Sequence, residues 1–174
     1  MPRAPSPIPS PTSTMLTPYA DLLLRVLHVL IGAGWLGSVY FSLTVLHPQG
    51  REVFEDDARF EEFVTGLSNG NRKRVLSGFA GTFLTGWLLI GLHIHQPHPT
   101  WWWGMVWAKT CVFFLALGVF WYVSWRLWPA RLFAIPEEFE AFRRKGTILR
   151  ATSLVLVGVD TILGVLMHAL HHTS

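Results

Sequence analysis

The chain of 174 residues carries 14 Lys+Arg, 11 Asp+Glu, 8 His and a single Cys, and its 14% of charged residues falls well below the roughly 25% of an ordinary soluble domain. With 51% hydrophobic residues and nine Trp, it is excluded from the disordered and nucleic-acid-binding classes, so a net charge of +3 is not a DNA signal. Cys111 alone permits no internal disulfide, no Cys-rich zinc site and no c-type haem attachment; any metal chemistry rests on His, Met, Lys or carboxylates.

Residues 1–18 are rich in Pro, Ser and Thr and contain no apolar run, which predicts an extended tail and not a signal peptide; Met15 offers an alternative start. Residues 19–174 then read as one four-helix transmembrane domain. Its spans are Val26–Leu46, Val75–Ile94, Trp101–Trp125 and Ala151–Leu170, of 21, 20, 25 and 20 residues, each close to the length a hydrocarbon core requires. The fold class expected is therefore an all-α, integral membrane four-helix bundle in contact with lipid.

The first span carries Asp21, Arg25, His28, Gly32 and Trp35 on one stripe at helical period, with the first two just before its apolar part. A loop with five basic residues, Arg51 to Arg74, follows, and Arg51–Phe63 reads as a short amphipathic interfacial helix. The second span ends at His93, and the linker HIHQPH adds His95 and His98. Trp101, Trp102 and Trp103 then form an aromatic belt at the start of the third span, with Trp125 and Trp128 marking the opposite interface. Lys109 lies about two turns into this span. The next loop, Arg126 to Arg150, holds six basic residues and a second short amphipathic stretch, Glu137–Phe142. In the fourth span Asp160, Gly164 and His168 are spaced by four and share a face.

Lys and Arg are retained on the cytoplasmic side during insertion, so 11 of the 14 basic residues in two loops predict that both loops are cytoplasmic and both termini outside, in the periplasm. The expected location is the inner membrane of a bacterium. On that orientation seven of the eight histidines gather in the outer third of the bundle, His47 being the exception. His28 sits roughly 9 Å in from Leu22 at the 1.5 Å helical rise.

Ionisable groups inside a span are costly and mark function by default. An imidazole next to small residues is the arrangement a haem plane needs, which makes His28 one candidate axial ligand and His93 or His168 the other, with Arg25 and Lys109 as propionate or proton partners. Against this stand plainer readings. His28 could make an ordinary interhelical hydrogen bond, Lys109 an ion pair with Asp160, and His171 and His172 could be interfacial. His95 and His98 could instead form a surface copper or zinc site with His171 and His172, and the wider set His28, His93, His95, His98 and His168, with Met105 and Met167 near the same level, would suit copper.

Two runs carry a family resemblance. LHVLIGAGWLGSVYFSLTVLHP, from Leu27 to Pro48, and WGMVWAKTCVFFLALGVFWY, from Trp103 to Tyr122, resemble the copper-resistance protein D family and the related HemJ-type, four-helix protoporphyrinogen IX oxidases. The resemblance implies that His28 and Lys109 are the essential pair associated with a bound b-type haem. The chain departs from the oxidases at the entry to the last span, where it reads GTILRATS in place of their Asn-Glu-x-Pro-Thr stretch.

The leading expectation is a membrane haem b protein for electron transfer, with oxidation of a small reduced substrate such as a porphyrinogen as its enzymatic, oxidoreductase form. A quinone or a periplasmic electron carrier would be its redox partner. The alternatives are a copper uptake or resistance protein and a structural subunit of a larger membrane complex.

Overall fold

The computed structural model describes residues 11–54 and 56–173, and within that range every regular element is a helix. Helix α1 spans Pro11–Phe41 and passes through a π turn, Ser42–Leu46, into the short α2, His47–Val53. After a break at Phe54, α3 runs over Asp57–His93. Helix α4, Thr100–Tyr122, continues through a second π turn, Val123–Leu127, into α5, Trp128–Leu132. A 3-10 turn at Pro136–Glu138 leads into α6, Phe139–Thr173.

These elements make four rods long and apolar enough to cross a membrane: Pro18–Gly50, Ala58–His93, Thr100–Arg131 and Phe139–Leu170. They cover the four expected spans, save that Ile94 falls one residue past the end of α3, and each runs on beyond its span at one end or both. Helix α1 begins at Pro11, inside the stretch expected to be extended, and carries Pro18 within it. Residues 1–10 lie outside the described residues, as do the side chains of His171 and His172.

The amphipathic stretch from Arg51 to Phe63 is not a separate helix. Its first residues close α2, and its last ones open α3, where the Asp56 side chain caps the start by accepting from the amide of Ala58 at 2.9 Å. Likewise Glu137–Phe142 is split between the 3-10 turn and the first turn of α6. Both charged stretches are thus taken up into the neighbouring helices instead of forming separate pieces.

The two π turns have one cause. Each lies just ahead of a proline, Pro48 and Pro129, which has no amide to donate and whose ring crowds the carbonyl four residues earlier. The wider turn relieves that crowding, and the amides of His47 and Trp128 reach back five residues to the carbonyls of Ser42 and Val123.

Side chains are distributed as lipid demands and water forbids. Val29, Leu30, Leu115, Val155 and Val165 are each about three-fifths exposed, whereas the small core is aromatic, built on Phe79, Phe113 and Ala116 with Trp35, Phe120 and Leu156 against it. Packing pairs α1 with α3 and α4 with α6, and α1 also meets α6. Rings bridge α3 and α4: Phe79 and Phe83 lie 5.5 and 5.7 Å from Phe113. Such bulk holds those helices apart, and a cavity opens above the rings.

Candidate cofactor site

The cavity has a volume of about 220 Å³, and its envelope including the open mouth is about 1060 Å³. All four long helices contribute. Helix α1 supplies Arg25 and His28, α3 supplies Thr82, Gly86, Trp87 and His93, α4 supplies Trp102, Lys109 and Phe113, and α6 supplies Asp160, Met167 and His168. His98 closes one side from the α3–α4 linker. The stripe read on α1 is the inward face, since Asp21, Arg25, His28, Gly32 and Trp35 are more shielded than the Val29, Leu30 and Ala33 side.

His28 is held by a hydrogen bond between its Nδ1 and the Thr85 hydroxyl, 2.9 Å apart. The direction of this bond follows from what Thr85 does with its one proton. That hydroxyl is 2.7 Å from the Gly81 carbonyl, which can only accept, so the proton points there and a lone pair faces His28. Nδ1 of His28 therefore carries the hydrogen, and in the neutral ring the lone pair resides on Nε2 of a side chain that lines the cavity. Metal-binding imidazoles are commonly fixed in this way, one nitrogen donating to a neighbour and the other left basic. Gly86 makes room for the ring: a Cβ there would sit 3.3 Å from His28 Cε1. The glycine against His28 is thus on the neighbouring helix, and Gly32, one turn along α1, has open space beside it.

Lys109 crosses to α6. Its ammonium donates to the Asp160 backbone carbonyl at 2.7 Å and to Asp160 Oδ2 at 3.2 Å, with both side chains about one-fifth exposed. Gly164 admits it, since a Cβ at that position would be 3.1 Å from Nζ. The Asp160–Gly164–His168 face exists as read, but its glycine accommodates the lysine and not the space under His168.

The outer rim is a network. Arg25 Nε donates to Asp21 Oδ2 at 2.7 Å, and its Nη2 is 3.4 Å from His93 Nε2, which is also 3.5 Å from Asp21 Oδ1. His93 Nδ1 donates to the Leu89 carbonyl at 2.9 Å, so Nε2 is its accepting nitrogen and Arg25 already occupies it. His98 Nε2 donates to the His93 carbonyl at 2.8 Å while its ring stacks on Trp102, 3.9 Å between centroids and 8° from parallel. His95 is exposed and does not line the cavity.

Of the candidate residues, the structure brings Arg25, His28, His93, His98, Lys109 and His168 to one cavity and leaves His95 out. Among the described residues, no three His, Cys, Asp or Glu side chains converge on a ready-made metal centre. Sequence reasoning missed Thr85 and Thr82. The signal for Thr85 was its position: a hydroxyl in the middle of an apolar span, at the depth of His28. Thr82, 6% exposed, lines the same cavity, and its buried hydroxyl has no hydrogen-bond partner. Comparison with family models, with curated proteins and with solved structures finds no match to this chain.

Proposed function

We propose that the protein is a b-type haem protein of the bacterial inner membrane, working in electron transfer and, in its enzymatic form, oxidising a small reduced substrate such as a porphyrinogen. The observation that carries this reading is His28: its Nδ1–H is directed to Thr85, which leaves Nε2 as the basic nitrogen of a ring that lines an aromatic-walled cavity in the bundle interior. His93, at the end of α3, and His168, on α6, line the same cavity and are the two candidates for the second ligand. Trp87, Trp102 and Phe113 offer flat apolar walls, and the Thr82 hydroxyl is a buried polar group in want of a partner.

Haem supplies one-electron redox chemistry when bound. The chain supplies everything around it. Nε2 of His28 would hold the iron, Arg25 and Lys109 would face the carboxylates, and the rings would exclude water. Each cation already has a carboxylate neighbour, Asp21 or Asp160, so to face a ligand carboxylate each would share its N–H donors between the two anions. With both basic loops in the cytoplasm, the cavity opens toward the periplasmic side, where a soluble electron carrier could reach it.

Copper capture by the same histidines has less support, since it asks His93 and His98 to leave the Arg25 and Leu89 contacts and the Trp102 stack. The test is spectroscopic. Protein purified in mild detergent from haem-sufficient cells should show a Soret band and a reduced-minus-oxidised α band. His28→Ala should abolish both while leaving a monodisperse, helical protein. Bound copper without a chromophore would favour the metal reading, and a stable partner subunit with neither would favour a structural role.

A further inference from the structure

A second cavity, of about 230 Å³, opens between α1 and α3 on the side of the aromatic core away from His28. At Gly81 the two helices are in close contact, a Cβ there lying 3.0 Å from Ile31 Cδ1. Beyond that point the gap widens, because Gly34 and Gly78 both line the cavity and a Cβ at either would meet nothing within 4 Å. The result is a slot with bare backbone on both walls and the Trp35 ring beside it.

The slot is amphipathic along its length. Ile31 and Val75 are apolar, whereas Ser38, Asn71 and Arg74 collect at the end nearer the basic loops. Ser38 donates its own proton to the Trp35 carbonyl at 2.8 Å, so toward a ligand it offers a lone pair. Asn71 and Arg74 offer N–H donors. A flat apolar ring bearing oxygens that accept hydrogen bonds when oxidised and donate them when reduced matches that set. A phospholipid tail would use the width but not the polar end.

Trp35 joins this slot to the first cavity. Its ring lies 4.1 Å from Phe79 and 6.4 Å from Phe113 between centroids, and Phe113 lines the cavity that holds His28. We infer that the α1–α3 slot is the binding site of a lipid-soluble quinone, the electron acceptor for the first cavity, with Trp35 as the contact between the two. This rests on the redox reading given above. The balance closes with the quinone as oxidant: the reduced substrate at the first cavity gives up two electrons and two protons, and the quinone takes two electrons through the protein and two protons from water at the Arg74 end, leaving as quinol.

The experiment is photolabelling of the full chain in detergent with an azido-substituted quinone, mapped by mass spectrometry. Expected is saturable label within residues 31–38 or 71–78, displaced by unmodified quinone and not by excess phospholipid. Gly78→Leu, which fills the slot, should lower labelling at least tenfold. Where that variant does not give a monodisperse protein, Asn71→Leu and Gly34→Ala provide the same comparison more gently. Label elsewhere, label displaced equally by phospholipid, or label unchanged in every folded slot variant overturns the inference. Slot labelling in protein that shows no haem band retains the quinone site and overturns only the haem reading. A haem band without slot labelling does the reverse.

Discussion

A single hydroxyl decides what His28 can do. Were Thr85 free to donate, the imidazole could accept at Nδ1, and its basic nitrogen would point away from the cavity. Because the Thr85 proton goes to Gly81, the ring is fixed in the opposite sense. Thr85→Val keeps the shape and removes that acceptor, and losing such an outer partner typically costs 10–100-fold in metal affinity. The haem-to-protein ratio at limiting haem should therefore fall by about tenfold or more in Thr85→Val, and Thr85→Ser should restore it. A pyridine haemochrome assay on both variants decides the point; equal loading in Thr85→Val would show that the bond is incidental. His28 itself was legible in the sequence as an ionisable group in an apolar span. Thr85 was marked only by its depth, level with His28, because a Thr in a membrane helix normally bonds its own backbone and shows no sign of a second, interhelical bond.

At the scale of elements, the glycines divide into those that accept a neighbour and those that do not. Gly50, in α2, has Phe60 Cε2 2.6 Å from where a Cβ would be, and Phe60 is 1% exposed, fenced by the His47 ring edge and by Phe54. That ring has nowhere to move. Gly50→Ala should lower stability by about 1–3 kcal/mol, the usual cost of overpacking. Gly118, in α4, has nothing within 4 Å, and Gly118→Ala should be neutral or stabilise by up to ~1 kcal/mol through helix propensity. Thermal midpoints in one detergent compare the two, and a Gly50→Ala midpoint equal to wild type would mean that α2 shifts as a body to accommodate the methyl group. The four spans were legible because apolar length alone declares them. Their ends were not. Neither the continuation of α1 and α4 past their prolines through π turns nor the merging of charged stretches into α3 and α6 has a periodic signal, since both depend on which backbone groups find partners after the helices have packed.

On the scale of the whole molecule, ion pairs mark three levels of an otherwise apolar bundle: Asp21–Arg25 at one end, Lys109–Asp160 within it, and Glu61–Arg131 at the other. Sequence spacing anticipated the second, since a lone cation and a lone anion in neighbouring spans have few other partners. It gave no hint of the third, which joins α3 to α5 across two loops. Separating the site from the scaffold requires asking which pair stability needs and which pair a ligand needs. Removing one partner of a buried pair commonly costs 3–5 kcal/mol because the other charge is left uncompensated, whereas removing both is far milder. Lys109→Met should therefore lower both the thermal midpoint and the haem content. The double variant Lys109→Met, Asp160→Asn has no unpaired charge and should regain most of the midpoint, yet on the proposed role of Lys109 its haem content should stay as low as that of Lys109→Met, because the cation proposed to face the carboxylates would still be missing. Glu61→Ala supplies the converse: Arg131, 7% exposed, loses its carboxylate and the midpoint falls, while haem per folded molecule stays within about twofold of wild type. If haem returned together with stability in the double variant, Lys109 would be a strut between α4 and α6 and His28 alone would carry the cofactor.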